Sequence, residues 1–183
     1  MHPDRNAKRV YLAGPFFNAA QIALIQEVED ALAAMNIPTF SPRKMALNDK
    51  PTTTKPTPEQ AAQIFRKDYE EITKSTHVIA VLDWALNPGV SLRLCKNDVG
   101  EDGPLQPISD HLSLPDAGTV WEMGCAYALR VPVYLYTQNP AAKLNLMLSQ
   151  SARGVLYGID HLKTFLGAGM DEDLLSPWKG EHR

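Results

Sequence analysis

The sequence predicts an α/β domain in which a parallel sheet of about five strands carries helices on both faces. Three observations predict it. Short, β-rich apolar runs alternate with segments of helical period. The clearest run, residues 77–83 (HVIAVLD), is almost continuously apolar, as in a strand covered on both faces. Finally, a chain of 183 residues with 44% hydrophobic and 21% charged residues has the size and balance of one globular core. We expect one domain over residues 1–183, with its core at about residues 9–165.

Each element follows from local chemistry. Residues 9–13 (RVYLA) form the first strand, broken by Gly14-Pro15. Ile22, Ile25, Val28, Leu32 and Met35 then recur at helical spacing until Ile37-Pro38 stops the pattern. Residues 42–58 are rich in Pro, Thr and Lys without periodicity and read as a loop. Thr57-Pro58-Glu59-Gln60 supplies a cap, a proline for the first helical position and a capping-box glutamine. The helix it starts runs to about residue 74, with Ile64, Phe65, Tyr69 and Ile72 as its apolar stripe. After the strand at 77–83, residues 87–115 read as a long surface insertion. A helix over about 118–129, a strand at 131–137, a short helix near 144–149 and a strand at 154–157 complete the alternation.

Composition excludes several classes of function. A net charge of −3, with no basic stripe interleaved with aromatics, argues against a nucleic acid polymer as partner. The opening residues lack the apolar core of a signal peptide and no run approaches a membrane span, so we expect no membrane partner and a cytoplasmic location. Cys95 and Cys125 have no paired spacing and the five histidines are scattered, so no metal is expected. No G-x-G-x-x-G, P-loop or G-x-S-x-G motif occurs, and no cofactor is expected.

The remaining chemistry is acidic. Asp68 lies on the apolar side of its predicted helix, where a carboxylate must be paired, hydrogen-bonded or used. Asp83 ends a buried strand, at the sheet edge where ligands gather in such folds. Asp116 and Glu122 stand six apart near a helix start, and Thr119 and Glu122 have capping-box spacing. Judged on that segment alone, a cap is the better reading of Glu122. Judged alone, Tyr11 reads better as a core aromatic of the first strand. Clustered carboxylates favour glycosyl transfer, in which one acid stabilises or traps an oxocarbenium-like centre.

Taken together, Val10-Tyr11-Leu12-Ala13-Gly14-Pro15, Asp116-x-Gly118-Thr119-x-x-Glu122-x-Gly124-x-Ala126 and Asn145-Leu146-Met147-Leu148 resemble the nucleoside 2-deoxyribosyltransferase family in order and spacing. The resemblance covers most of residues 9–165; segments 42–58 and 87–115 fit poorly. It implies a flavodoxin/Rossmann-like fold and transfer of a 2-deoxyribosyl group between nucleobases, with a 2-deoxynucleoside and a free nucleobase as partners. By position it makes Glu122 the nucleophile, Asp116 and Asp68 its companions at sugar and base, and Tyr11 the residue that orients Glu122. Placement of Glu122 in a helix's first turn would also favour its ionised form through the helix dipole. The Asn145 segment, with Met147, is implied to enter a neighbouring subunit's site, and hence a homo-oligomer with shared sites. Gly14, Pro15, Gly118 and Asp83 are expected to line the substrate site, with Phe16, Phe17 and Trp84 as candidates for stacking on the base. Two rival readings are a nucleoside 5′-monophosphate N-glycosidase and a non-catalytic nucleoside-binding domain. The loop Gly14-Pro15-Phe16-Phe17-Asn18, aromatic and without serine, suits a nucleoside better than a phosphate.

Overall fold

The structure, a computed structural model, describes residues 8–45, 56–82, 116–139 and 144–177. Strands β1 (Val10–Ala13), β2 (Thr39–Phe40), β3 (His77–Val81), β4 (Val133–Thr137) and β5 (Gly154–Tyr157) form one sheet in the order β2-β1-β3-β4-β5. Every neighbouring pair is parallel. This is the flavodoxin-like strand order, whose reversal at β1/β3 opens a crevice at the carboxyl ends of those strands. The expected fold class is what the structure has.

The pleat explains how the sheet serves two layers. Val10, Leu12, Ile79, Val81, Tyr134 and Tyr136 point to one face, where they pack on Ile25, Val28 and Leu32 of helix α1 (Ala19–Ala34). Leu162, Phe165 and Leu166 of helix α5 (Gly158–Gly167) complete that layer. Tyr11, Ala13, Val78, Ala80, Val133 and Leu135 point to the other face. There they meet Ile72 of α2 (Pro58–Lys74), Met123 and Ala126 of α3 (Ala117–Ala128) and Leu148 of α4 (Leu146–Ser151). Residues of both parities are thus buried along β1, β4 and most of β3 and β5, which is why these runs are so continuously apolar.

Thr57 and Gln60 form the expected capping box, with Pro58 in the first turn of α2. Phe65 and Tyr69, read as part of its buried stripe, are instead 54% and 43% exposed. The buried arc of α2 is rotated toward Ile64, Asp68, Glu71 and Ile72. Glu71 occupies it because Arg9, Lys67 and Lys74 all reach its carboxylate. Burial pushes the Glu71 carboxyl up, but the hydrogen bonds and charge of Lys67, Arg9 and Lys74 outweigh it and hold the group below its ordinary range. The segment read as loop from residue 42 begins with a short 3-10 turn, Pro42–Lys44. Arg43 of that turn pairs with buried Glu29 on α1. Asp83, Trp84 and the 87–115 insertion lie outside the described residues.

Candidate active site

Three elements converge at the carboxyl end of β1. Tyr11, fully buried on the α2/α3 side of the sheet, sends its hydroxyl to Glu122 on α3 and donates a hydrogen bond to Oε1 at 2.5 Å. Phe40 of β2 holds the Tyr11 ring from the side, with centroids 5.5 Å apart. Phe40 was missed in the sequence because a two-residue strand shows no alternation. Asp68 comes from α2, and its charge acts on both Tyr11 and Glu122. Its Oδ1 is buried with no hydrogen-bond partner among the described residues.

The start of α3 differs from the expected pattern. Asp116, not Thr119, is the N-cap: its Oδ2 accepts from Thr119 N at 2.8 Å and from Thr119 Oγ1 at 3.0 Å. Gly118 makes room for this, because a Cβ there would stand 3.0 Å from the same oxygen. The Thr119/Glu122 capping box is therefore overturned. Glu122 is released from capping and lies in the second turn, beyond the reach of the first-turn dipole argument. Its carboxyl is correspondingly not lowered. Burial pushes it up to about 8; the Tyr11 hydrogen bond works the other way, and the charges of Asp68 and Asp116 raise it further. Burial also pushes Asp68 up to about 6. The Tyr11 hydroxyl is raised by burial and by the neighbouring carboxylates, so it stays a neutral donor.

Gly14 and Pro15 leave β1 at this same edge. A Cβ on Gly14 would stand 2.4 Å from Ile25 Cδ1 and 3.1 Å from Val81 Cβ, so only glycine lets the strand end pass this close to α1. Phe16 and Phe17 follow, stacked on each other with centroids 5.6 Å apart, Phe17 exposed. Asn145 caps α4, accepting from Met147 N at 2.8 Å, and Met147 is 75% exposed. Neither residue makes a described contact with Tyr11, Asp68 or Glu122 of its own chain. On the outer surface Phe65 and Trp121 meet at 5.0 Å between ring centroids, an aromatic contact between α2 and α3 that the sequence reading did not single out. Cys125 sits one turn after Glu122 and is raised by burial and by that carboxylate. Among the described residues no group of His, Cys, Asp or Glu is arranged to hold a metal ion, and no helix is long and apolar enough to cross a membrane.

A family model described as nucleoside 2-deoxyribosyltransferase matches residues 10–94. The match lies in the first part of the chain and covers somewhat less than half of it. The matched span includes Tyr11, Gly14 and Asp68 and ends before Asp116 and Glu122, which the packing of α3 brings to them. Among solved structures, the fold is similar to the 2-deoxyribosyltransferase of the psychrotolerant bacterium Bacillus psychrosaccharolyticus, with a TM-score of 0.64 and 23% identity over 93% of this chain and 98% of that one. It is also similar to a conserved protein of Enterococcus faecalis V583, with a TM-score of 0.61 and 18% identity over 88% and 98% of the two chains. No curated protein sequence matches significantly. The 2-deoxyribosyltransferase resemblance thus extends from short motifs to the fold.

Proposed function

We propose that this protein is a nucleoside deoxyribosyltransferase that works through a covalent deoxyribosyl bond to Glu122. The observation that carries the reading is the Tyr11–Glu122 hydrogen bond with Asp68 alongside: a buried carboxylate aimed by a neutral donor, next to a second acid able to hold a proton. Between about pH 6 and 8 the Glu122/Asp68 pair holds one proton. By the order of those values the proton rests on Glu122, so the reactive form, with Glu122 ionised and Asp68 protonated, is the minor arrangement of the one-proton state and is reached by passing that proton from one carboxyl to the other.

In the first displacement a Glu122 oxygen bonds to the anomeric carbon as the carbon–nitrogen bond breaks. The departing base keeps the bonding pair and takes a proton, supplied by Asp68. In the second, a nitrogen of the incoming base attacks the same carbon, Glu122 leaves as carboxylate, and the acceptor's proton returns to Asp68. Two inversions give net retention and ping-pong kinetics. Asp116, fixed by the α3 cap, is assigned to the sugar. Phe16, Phe17 and Trp84 are assigned to the base, with Gly14, Pro15, Gly118 and Asp83 lining the site. The exposed Asn145–Met147 segment is assigned to a neighbouring copy's site, making the working unit a homo-oligomer.

The test is incubation with deoxyinosine, with and without adenine, while free bases and nucleosides are followed chromatographically. Deoxyadenosine that forms in the wild type and not in Glu122→Ala is the expected result. Free hypoxanthine formed at a rate unaffected by adenine would replace this reading with hydrolysis.

A further inference from the structure

The sheet has a second concave surface at its opposite edge. Where α3 ends and turns into β4, and where α4 ends and turns into β5, the chain leaves a groove of about 580 Å³. Tyr127, Arg130, Pro132, Gln150, Ser151 and Arg153 line it, and no acidic residue does. The volume lies in the range of small-molecule sites.

Its charge is unusual for this chain. Net charge is −3, and several other cations are committed to carboxylates: Arg9, Lys67 and Lys74 to Glu71, Arg43 and Lys44 to Glu29. The guanidinium groups of Arg130 and Arg153 make no ion pair or hydrogen bond among the described residues. Two exposed arginines sharing one concavity repel each other unless an anion lies between them. Arg130 also has a left-handed backbone, φ 59°, just past the end of α3. That position normally goes to glycine. Its charge complements the carboxyl end of α3, which offsets part of that strain. Arg153 stands two residues past the end of α4, where the same interaction is available, so what a bound anion explains is the convergence of the two charges on one groove.

Geometry and chemistry define the ligand. Guanidinium groups match the tetrahedral oxygens of a phosphate through paired N–H donors. The Gln150 amide and the Tyr127 hydroxyl add donors, whereas Ser151 already spends its proton on Leu148 O. The Tyr127 ring, 62% exposed, offers with Pro132 and Ala128 an apolar wall for a flat group.

We propose that this groove is a second binding site, taking a small phosphate-bearing ligand of the nucleoside monophosphate class on Arg130 and Arg153, with Tyr127 against its base. It is separate from the Tyr11–Glu122 site and does not depend on the transfer reading. Its test is calorimetric titration of the full chain with 2′-deoxyadenosine 5′-monophosphate, inorganic phosphate and 2′-deoxyadenosine at fixed ionic strength. The monophosphate is expected to bind, inorganic phosphate to compete more weakly, and 2′-deoxyadenosine, a ligand of the Tyr11–Glu122 site, to bind equally to the wild type and both arginine variants without displacing the monophosphate from the groove. Arg153→Ala and Arg130→Gly should each weaken monophosphate binding about tenfold or more, the loss of a charge-assisted contact. Glycine suits the backbone of residue 130, so this variant keeps its fold and its nucleoside turnover. Equal affinity for inorganic phosphate would overturn the nucleotide assignment. Absence of binding at millimolar monophosphate, or binding undiminished in both variants, would overturn the site.

Discussion

Tyr11 Oη and Glu122 Oε1 are joined by a 2.5 Å hydrogen bond between the first strand and a helix 111 residues further along the chain. The contact fixes the carboxylate and is the one interaction that lowers its proton affinity against burial and two neighbouring acids. Tyr11→Phe keeps the ring and its packing on Phe40 while removing the donor. We expect kcat to fall about 10- to 100-fold, the range of a hydrogen bond to a charged group. The alkaline limb of the rate profile should move to higher pH. Steady-state kinetics across pH checks both; an unchanged limb would show that the hydroxyl does not act on Glu122.

The pair of acids sets the pH dependence. Asp68 at about 6 and Glu122 at about 8 leave two protons on the site below the first value and none above the second. Activity requires one, so kcat/KM should be bell-shaped with limbs near 6 and 8. A profile of kcat/KM against pH from 4.5 to 9.5 measures this. A monotonic rise from about pH 4.5, the behaviour of an ordinary glutamate, would remove Asp68 from the proton bookkeeping.

Asp68→Asn separates the two acids. It removes a charge that raises Glu122, so the Glu122 carboxyl should ionise at lower pH than in the wild type. It also removes the proton source for the departing base. The bell should become a simple rise followed by a plateau, with kcat reduced about 10²- to 10⁴-fold, the usual contribution of general acid catalysis. A substrate with an activated leaving base should recover much of the loss. No such recovery would place Asp68 in binding and not in proton transfer.

How much of this was legible in the sequence differs by element. The strands at Tyr11 and Val78 and the α2 cap were readable because continuous apolar runs and the Thr57-Pro58-x-Gln60 signature are local chemistry. Asp68 stood out as an acid on an apolar face. Helix α5 was missed although Ile159, Leu162, Phe165 and Leu166 carry its period. The cap of α3 was misassigned because Asp116–Thr119 and Thr119–Glu122 share one spacing, and only the packing of Glu122 on Tyr11 decides between them. The buried position of Glu71 was unreadable, since Arg9, its partner, lies 62 residues earlier.

That buried carboxylate gives a stability prediction. Glu71 ties α2, which carries Asp68, to the residue before β1, which carries Tyr11. Its folded pKa is depressed, so its stabilisation is present above the unfolded value of about 4.5 and is lost as pH falls through the folded value. The Glu71 side chain is 5% exposed and that of Arg9 39%, so solvent screens much of the pairing from the arginine side. Glu71→Gln should cost about 1–2 kcal/mol at pH 7 and progressively less below pH 4. Urea denaturation at pH 7 and pH 3 checks it; an equal loss at the lower pH would point to packing and not charge.

Gly14 offers a steric prediction at the mouth of the site. Alanine there would push a methyl to 2.4 Å from Ile25 Cδ1, the end of a fully buried side chain, and to 3.1 Å from Val81 Cβ, which is anchored on the backbone of β3. The isoleucine can turn only into a filled core, and the valine cannot turn away at all. Gly14→Ala should therefore cost about 1–3 kcal/mol, the usual penalty of overpacking. It should also shift the loop beginning at Pro15 and so raise KM. Ile25→Val deletes the Cδ1 methyl and leaves the Val81 contact, so in that background Gly14→Ala should cost measurably less without becoming neutral. A double-mutant cycle in urea gives the coupling directly. Strict additivity would mean that Ile25 is not what excludes a side chain at residue 14.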